Sequence, residues 1–263
     1  GLGRVVRAAD GSVRAIVEHA DATADQKLID EIYTGVLAAP SALLAAWVDK
    51  LTPHNAQGEY YLTDVVAAAL ADGVAVHAQL CDDADDARGV NDRVQLAAVE
   101  RIVQRRCAEA LMRAGTTIAD PARIDIRGTL TAARDTFIDV GCVFEGDVVL
   151  DEGARIGPHC VLRNTRVGAG TQIHANSHLD GATIAQRCSI GPYARLRPGA
   201  TLGDDVHIGN FVEVKASDVG ARSKANHLAY IGDATVGADV NFGAGSITAN
   251  YDGANKHRTV IGD

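Results

Sequence analysis

The chain reads LDEGARIGPHCVLRNTRVGAGTQIHANSHL from Leu150 to Leu179, and an aliphatic residue returns in this stretch at every fifth or sixth position. The spacing continues to Phe242, with four steps of five residues and all the others of six. A period of six fits neither a helix nor an alternating strand, so it predicts an internal structural repeat. The repeating positions are Leu150, Ile156, Leu162, Val167, Ile173, Leu179, Ile184, Ile190, Leu196, Leu202, Ile208, Val214, Val219, Ala225, Ile231, Val236 and Phe242.

Three six-residue units make a triangular coil in which each unit supplies a short strand, an inward aliphatic side chain and a turn. Stacked coils pair as parallel strands about 4.8 Å apart. The fold class is therefore α/β followed by a β-solenoid, with roughly five coils between Leu150 and Phe242. Glycines such as Gly157, Gly191 and Gly209 follow the aliphatic positions. We interpret them as corner residues with positive φ, and the five-residue steps as shortened corners.

The charge and the amino-acid composition of the chain limit the kinds of molecule that it binds. The formal charge of −9 and the pI of about 5.4 disfavour nucleic acid or an anionic membrane as the general partner. The most apolar window, Val36 to Val48, is short and interrupted by Pro40, so no membrane span is predicted. Five cysteines without a Cys-x-x-Cys pair favour free thiols in a reducing compartment, and we expect a cytoplasmic protein.

The residues before the repeat predict a separate α/β region. Strands are predicted at Val13–Val17, Glu31–Ala38 and Val74–Leu80, and helices at Ser41–Leu51, with Ser41 as its cap, and Thr63–Ala71. An amphipathic helix follows from Asp92 to Ala114. We therefore divide the chain into an α/β remnant at 1–91, a linker helix at 92–115 and the solenoid at 116–263. Because the chain begins without Met and ends inside a repeat, we expect it to be truncated at both ends.

Six sequence blocks carry a family resemblance that covers essentially the whole chain. In these blocks the chain resembles bacterial bifunctional N-acetylglucosamine-1-phosphate uridyltransferase / glucosamine-1-phosphate acetyltransferase. The resemblance implies a left-handed parallel β-helix of hexapeptide repeats and a homotrimer with sites between subunits. The blocks are IVEHADAT from Ile16, NAQGEYYLTD from Asn55, GVNDRVQL from Gly89, GPYARLRPG from Gly191, GNFVEVK from Gly209 and NYDGANK from Asn250.

The implied reactions belong to UDP-N-acetylglucosamine biosynthesis, which supplies peptidoglycan and lipopolysaccharide precursors. One is acetyl transfer from acetyl-CoA to glucosamine 1-phosphate, with His227 as the catalytic base. The resemblance implies that Arg197, Lys215, Tyr230, Asn241 and Lys256 bind the sugar phosphate, and that Ala244, Asn250 and Tyr251 contact acetyl-CoA.

The other implied reaction is uridylyl transfer from UTP to N-acetylglucosamine 1-phosphate. The resemblance places UDP-N-acetylglucosamine against Gly3, Glu18, Tyr33 and Asn91, with Asn91 also a magnesium ligand. Tyr33 stands where the family usually has Asn, and it does not offer the sugar the same amide contacts. Asn91 precedes a predicted helix, so its interpretation as an N-cap is equally open. We expect no uridylyl transfer by this chain alone.

The residues themselves agree with acetyl transfer. An amino sugar attacks a thioester as the free amine, and His is the side chain whose ordinary pKa of about 6.5 suits a base near neutrality. Arg binds a phosphate as a bidentate fork and Lys binds it as a point charge. Taken alone, a single His is more often an exposed corner residue, and basic side chains more often form a solvated face. Lys256 differs because it lies in an insert that interrupts the repeat between Ile247 and Val260.

The sequence leaves three alternatives open. In the first, the chain is a hexapeptide-repeat acyltransferase domain or an inactive fragment, without uridylyl transfer. A γ-type carbonic anhydrase would bind zinc through histidines of neighbouring coils, for which the candidates are His159, His174, His178 and His207. A purely partner-binding solenoid would have a flat repetitive face, and the insert that carries Lys256 counts against it.

Overall fold

The structure is a computed structural model that describes residues 2–263. Its internal contacts divide the chain into two units, Gly1–Val99 and Glu100–Asp263, so the division falls inside a helix. Across residues 2–263, no helix combines the length and the apolar character needed to cross a bilayer. The functional boundaries at 1–91, 92–115 and 116–263 stay a prediction.

The first unit contains one small sheet and short helices. Strands β1 and β2 are antiparallel, with Arg4 opposite Val17. Thr23 caps the first helix, because its side chain accepts from the Gln26 amide while the Gln26 side chain accepts from Thr23 N. The elements are β1 Arg4–Arg7, β2 Val13–Val17, α1 Ala24–Lys27, α2 Ser41–Val48, α3 Val65–Ala71 and two 3-10 turns at Leu62–Asp64 and Ala84–Ala87.

Trp47 anchors the helical part of this unit. It is buried with Val65 and Ala69, and its indole N–H donates to Asp72 Oδ2 at 2.8 Å. Burial of so large a side chain needs a partner for its polar atom, and Asp72 supplies it. A second small cluster joins the sheet to α3 through Val5, Val13 and Val66.

Three local predictions in the first unit are wrong. Residues 31–38 and 74–80 form no strand, and Ile32 makes only an isolated bridge to Arg4. Strand propensity depends on a neighbouring strand to pair with, and the described residues of this unit offer only β1 and β2. Ser41 is the first helical residue and not the cap, since Pro40 precedes it at the N-cap without a side-chain hydrogen bond.

Helix α4 spans Arg93–Arg113, and its second half covers the first coil of the solenoid. Ala108 is fully buried in the solenoid core. Buried Gln104 accepts from Ile126 N at 2.7 Å and donates to Ile126 O at 2.8 Å. The side-chain amide thus satisfies the backbone groups that a preceding coil would otherwise pair.

The second unit is the β-solenoid that the six-residue period predicts, and it begins earlier than Leu150. Its strands are β3 Thr117–Ile118, β4 Ile124–Ala132, β5 Phe137–Ile138, β6 Cys142–Leu150, β7 Arg155–Ile156, β8 Val161–Arg163, β9 Arg166–Val167, β10 Gln172–Ile173, β11 His178–Asp180, β12 Thr183–Ile184, β13 Ser189–Ile190, β14 Arg195–Leu196, β15 Thr201–Leu202, β16 His207–Lys215, β17 Asp218–Val219, β18 Lys224–Gly232, β19 Ala234–Val236, β20 Asn241–Phe242 and β21 Thr259–Ile261.

Every pairing in this sheet is parallel and joins successive coils. Ile173 pairs with Ile156 on one side and with Ile190 on the other, which are 17 residues away in each direction. The inward side chains therefore stack in columns, and nearly all the aliphatic positions are buried. Phe242 is only partly buried. The stacked columns are the solenoid core, and they explain why so few aromatic residues suffice.

All four five-residue steps lie at one corner of the triangular coil. They end at Val167, Ile184, Val219 and Val236, which belong to one column that also contains Leu202. The step that ends at Leu202 has six residues because Pro198 and Gly199 both occupy its corner. Coils consequently contain 17 or 18 residues, since the pair Ile190 and Ile208 lies 18 apart.

The interpretation of the glycines as positive-φ corners is wrong for most of them. Gly157 and Gly209 do not have positive φ, whereas Gly191 does. A Cβ at Gly209 would lie 1.7 Å from Asn226 O of the next coil. These glycines are needed because the backbone of the next coil approaches them closely, while non-glycine residues such as Asn176 adopt positive φ at the corners.

Candidate functional site

One face of the solenoid carries a column of charged side chains beside the shortened corner. Arg163 Nη2 approaches Glu145 Oε2 at 2.5 Å, and Arg163 also faces Asp180 at 4.0 Å. This alternation of sign ends at the next two coils, where Arg197 and Lys215 are neighbours, because Leu196 pairs with Val214. Adjacent parallel strands lie about 4.8 Å apart, so the two cations are placed side by side.

Two carboxylates offset the charge of this pair. Arg197 Nη1 donates to Glu213 Oε1 at 2.8 Å, and this hydrogen bond raises the pKa of Arg197. Lys215 Nζ donates to Asp233 Oδ2 at 3.2 Å. Both ion pairs are shielded from solvent in part, with side-chain exposures of 38% and 32% for the first pair and 21% and 20% for the second.

Tyr230 extends over the same face. Its hydroxyl accepts from Asn250 Nδ2 at 3.3 Å, and the same Asn250 amide donates to Asp233 Oδ2. The ring lies against Gly232, where a Cβ would be only 2.3 Å from the Tyr230 hydroxyl. Gly232 is therefore the residue that leaves room for this ring.

The insert between the last coils forms a short loop that brings further residues to the face. Tyr251 and Lys256 form an antiparallel bridge. Asp252 holds the turn between them: its Oδ1 accepts from Ala254 N at 2.8 Å and from Asn255 N at 2.7 Å, and its Oδ2 contacts His257 Nε2 at 2.7 Å. These contacts, led by the backbone hydrogen bond from Asn255, lower the pKa of Asp252 to about 2.

Asp233 is the residue where the face and the insert meet. Its pKa is lowered first by the hydrogen bond from Asn250, then by Lys215, and also by the charge of Lys256. The structure thus brings together five of the predicted residues, namely Arg197, Lys215, Tyr230, Asn250 and Lys256. The sequence pattern did not predict Asp233 and Glu213 as site residues. Their carboxylates pair with the predicted residues Lys215 and Arg197.

Tyr251 lies in the insert, and the other acetyl-transfer residues lie elsewhere on the solenoid. His227 is exposed in β18, where it pairs with Asn210 of the preceding coil. Exposed Asn241 pairs with Lys224 and lines an open groove of about 660 Å³. Within residues 2–263 no hydrogen bond or ion pair given by the structure joins His227 or Asn241 to Asp233 and its partners. Ala244 and Tyr251 are exposed.

The predicted uridylyl-transfer residues lie in the first unit. Tyr33 N donates to Gly3 O at 2.9 Å, and a Cβ at Gly3 would be 3.3 Å from Glu18 Oε1. Glu18 Oε1 accepts from Thr63 Oγ1 at 3.1 Å. The Tyr33 hydroxyl is buried without a partner in the described residues, and burial together with the Glu18 charge raises its pKa. Gly3, Glu18 and Tyr33 are therefore neighbours.

In the described residues, no hydrogen bond joins Asn91 to that group. Its backbone N–H donates to Gln95 Oε1 at 2.7 Å, while Asp92 Oδ1 accepts from Gln95 N at 2.7 Å. Asp92, and not Asn91, therefore caps helix α4. Across residues 2–263, no three His, Cys, Asp or Glu side chains are grouped as metal ligands, and Asn91 offers one amide oxygen. These residues do not fit a complete magnesium site.

Of the histidines considered for zinc, His174 makes a side-chain contact. His174 Nε2 contacts Ser189 Oγ at 3.0 Å, so its ring is engaged in a side-chain hydrogen bond. All five cysteines are free. Burial raises the pKa of Cys142 to about 11 and that of Cys160 to about 12. Thiols with so high a pKa are poor nucleophiles, and these two belong to the core.

Comparisons with known proteins show which chains this one is similar to. A family model described as the GMPPB C-terminal domain matches residues 126–225. A bifunctional protein GlmU of Herminiimonas arsenicoxydans is 59% identical over 263 residues, which is 100% of this chain and 58% of that protein. GlmU of Chromobacterium violaceum is 58% identical with the same two coverages, and GlmU of Bordetella parapertussis is 59% identical, again over 100% and 58%.

Likeness to solved structures is weaker. A UDP-N-acetylglucosamine acyltransferase from Campylobacter jejuni has a TM-score of 0.35 at 13% identity, over 49% of this chain and 66% of that one. The acetyltransferase domain of PglB from Neisseria gonorrhoeae, solved with acetyl coenzyme A, has a TM-score of 0.19 at 16% identity, over 52% and 63%. The fold therefore rests on the strand pairings described above. The similarity to known proteins is therefore one of sequence: the whole chain is similar to the GlmU of Herminiimonas arsenicoxydans, and it spans 58% of the length of that protein.

Proposed function

We propose that this chain carries an acetyl-transfer site that takes an acetyl group from acetyl-CoA to the amine of glucosamine 1-phosphate. The supporting observation is the break in charge alternation at Arg197 and Lys215. Like charges in adjacent coils repel each other, and the carboxylates of Glu213 and Asp233 offset only part of this repulsion because each is paired with one cation. A bound phosphate monoester would remove that repulsion.

The proposed sugar-phosphate site uses the residues around Asp233. Arg197 binds the phosphate through its planar fork, and Lys215 and Lys256 add point charges. Tyr230 and Asn250 supply a hydroxyl and an amide for the sugar. Asn241 is a further proposed sugar contact, although it lines a groove outside the Asp233 group. The three cations and the carboxylates of Glu213 and Asp233 leave one net positive charge, which favours an anionic ligand.

His227 is the proposed general base. The sugar amine attacks the thioester carbonyl carbon, His227 accepts the proton that the nitrogen loses, and the carbon–sulfur bond breaks to release coenzyme A as its thiol after that proton is returned. The products are the N-acetylated sugar phosphate and coenzyme A. The exposure of His227, free of side-chain hydrogen bonds in the described residues, leaves its ring nitrogens available for this role.

For acetyl-CoA we propose contacts with Ala244, Asn250 and Tyr251. Ala244 and Tyr251 are exposed near the insert, and Tyr251 is held by a hydrogen bond from its hydroxyl to Gly253 O at 2.7 Å. Since Asn250 contacts Tyr230, it connects the proposed sugar end to the proposed coenzyme end.

We also propose that the protein is a homotrimer in which copies meet beside His227. Three large apolar side chains project from one corner in successive coils: Tyr193, Phe211 and Leu228 are 52%, 58% and 59% exposed. Tyr193 and Phe211 stack with ring centroids 5.4 Å apart. All three have positive φ, which is costly for bulky residues. Contact with a second copy would bury these apolar side chains and offset the cost of their backbone conformation. Because Leu228 directly follows His227, this contact would lie beside His227.

Uridylyl transfer is the second proposed activity of the whole protein. It is supported by the grouping of Gly3, Glu18 and Tyr33 and by the relatives named as bifunctional. The buried hydroxyl of Tyr33 replaces the amide that the family resemblance implies at that position, so we expect altered sugar contacts. Asn91 is proposed as one magnesium ligand of this activity, and it does not by itself form a complete site. A cytoplasmic location and supply of peptidoglycan and lipopolysaccharide precursors complete the proposal, and the free cysteines are compatible with a reducing compartment.

The deciding experiment measures thiol release from acetyl-CoA in the presence and absence of glucosamine 1-phosphate. We expect release that requires both substrates and is lost in His227→Ala. Absence of release from the folded wild-type chain would refute acetyl transfer by these 263 residues and favour an inactive fragment with the same fold. Pyrophosphate release from UTP and N-acetylglucosamine 1-phosphate, measured in parallel, is not expected.

A further inference from the structure

Asp233 occupies a corner where a carboxylate is not required by the backbone. Its φ is 47°, and the same corner in earlier coils holds Ala216 at 44°, Gly199 at 79° and Asn164 at 45°. Alanine, glycine and asparagine thus all adopt the left-handed conformation at this corner. The reason for an aspartate must lie in what its side chain contacts.

One oxygen of that carboxylate joins parts of the chain that are distant in sequence. Asp233 Oδ2 accepts from Lys215 Nζ at 3.2 Å, in β16, and from Asn250 Nδ2, in the insert. Asn250 in turn donates to the Tyr230 hydroxyl at 3.3 Å. The Lys256 charge also acts on Asp233. A single carboxylate therefore connects three of the residues proposed to bind the sugar phosphate or acetyl-CoA, namely Lys215, Asn250 and Tyr230, through hydrogen bonds.

By charge alone this carboxylate opposes the proposed ligand. A negative side chain beside a phosphate site repels the phosphate, and the repulsion is stronger where solvent is partly excluded. The Lys215 and Asp233 side chains are only 21% and 20% exposed. The carboxylate also has a favourable effect on ligand binding. A lysine side chain has large rotamer freedom, and an ammonium group that is already fixed loses less conformational entropy when the ligand binds.

We propose that Asp233 is a positioning residue of the sugar-phosphate site, which holds Lys215 and the insert residue Asn250 where a phosphate monoester needs them. This inference rests on the proposed function and adds to it the residue that assembles the site. Charge alone predicts that removal of the Asp233 carboxylate strengthens the binding of an anion. The positioning role predicts the opposite, namely weaker binding.

The test measures the binding of glucosamine 1-phosphate by calorimetry to the wild-type chain, Asp233→Ala and Asp233→Asn. We expect Asp233→Ala to weaken binding about ten- to a hundredfold, the usual range for loss of hydrogen bonds to a charged group. Asp233→Asn should lie between the two, because its amide can keep one of the hydrogen bonds. Ala216 and Asn164 show that both replacements suit the corner. Glu145→Gln, a paired carboxylate on the same face near Arg163, is the matched control and should bind as the wild type does.

A double-mutant cycle shows whether Asp233 acts through the lysine. In a Lys215→Met background, Asp233→Ala should cost less than about threefold further, because its charged partner is gone and only the contact with Asn250 remains. Unchanged or tighter binding by Asp233→Ala, full additivity with Lys215→Met, or no binding by the wild type would overturn the proposal. Binding with the expected variant effects but without thiol release would support the role of Asp233 and refute the proposed acetyl transfer, so the two failures are distinguishable.

Discussion

Gly232 lies directly beneath the ring of Tyr230, and a Cβ at this glycine would be 2.3 Å from the Tyr230 hydroxyl and 2.4 Å from Cζ. The φ of Gly232 is not positive, so its backbone conformation would accept a side chain. Its lack of a Cβ therefore serves Tyr230, whose hydroxyl then reaches Asn250 at 3.3 Å.

Gly232→Ala should displace the Tyr230 ring and break its hydrogen bond with Asn250. We expect the KM for glucosamine 1-phosphate to rise about two- to tenfold, which corresponds to one neutral hydrogen bond, with little change in thermal stability. Steady-state thiol release measures the first quantity and a melting curve the second. The matched control is Gly89→Ala, where nothing lies within 4 Å of the added Cβ. An unchanged KM would show that Tyr230 does not bind substrate.

His227→Ala should lower kcat for acetyl transfer by roughly two to four orders of magnitude, the range for loss of a general base. Binding of glucosamine 1-phosphate should change little, because His227 has no hydrogen bond with the Asp233 group in the described residues. His178→Ala replaces another exposed histidine of an earlier coil and serves as the control. Equal turnover by the two variants would remove His227 from the mechanism.

The loop from Asn250 to His257 should lose its order in acid. Asp252 has a pKa of about 2 against an ordinary value of 3.8, because its charged form accepts the Asn255 and Ala254 amides and contacts His257. A lowered pKa in the folded state means that the stabilisation is complete above about pH 4 and is lost as the pH falls towards 2. Amide NMR signals of Ala254 and Asn255 should follow this change. Asp252→Asn should abolish the titration, and signals that shift only near pH 6 would point to another group.

Gly209→Ala should separate two coils that meet below His227. The added Cβ would lie 1.7 Å from Asn226 O, which is backbone and cannot rotate away. We expect a loss of at least about 2 kcal/mol in the free energy of unfolding, as for other overpacked sites, and a lower melting temperature. At Gly243 the added Cβ would meet only Ser246 Oγ at 3.7 Å, so Gly243→Ala should melt near the wild type. Equal stability of the two variants would contradict the close approach.

Phe211→Asp should disrupt the proposed trimer without unfolding the coil. Phe211 is 58% exposed, so a charged residue is acceptable in the isolated chain but costly in an apolar contact between copies. Sedimentation velocity should give a trimer for the wild type and smaller species for the variant. Phe211→Leu keeps the apolar surface and should remain trimeric. A monomeric wild type would refute the assembly, and a trimeric Phe211→Asp would place the contact elsewhere.

Much of the solenoid follows from local pattern, whereas the first unit does not. The aliphatic period predicts the inward columns because burial repeats in every coil, and residues such as Ile190 and Leu196 are indeed buried. The runs at 31–38 and 74–80 have strand-like composition but no neighbouring strand among the described residues, so composition misleads there. The repeat pattern indicates that glycine is needed beside the aliphatic positions, but the reason is the close approach of the next coil, which no local pattern shows.

The sequence by itself determined the repeat and its inward columns, because hydrophobic burial at a constant period needs only local spacing. The tertiary structure alone decided which outward side chains meet. Lys215 lies beside Arg197 because that coil has 18 residues, and beside Gly232 because the next has 17. One residue more or less at a corner would shift the register between coils, and each outward side chain would then lie beside a different neighbour. The group formed by Asp233, Lys215 and Asn250 therefore exists only through the hydrogen-bonded register between coils and the return of the insert to that face.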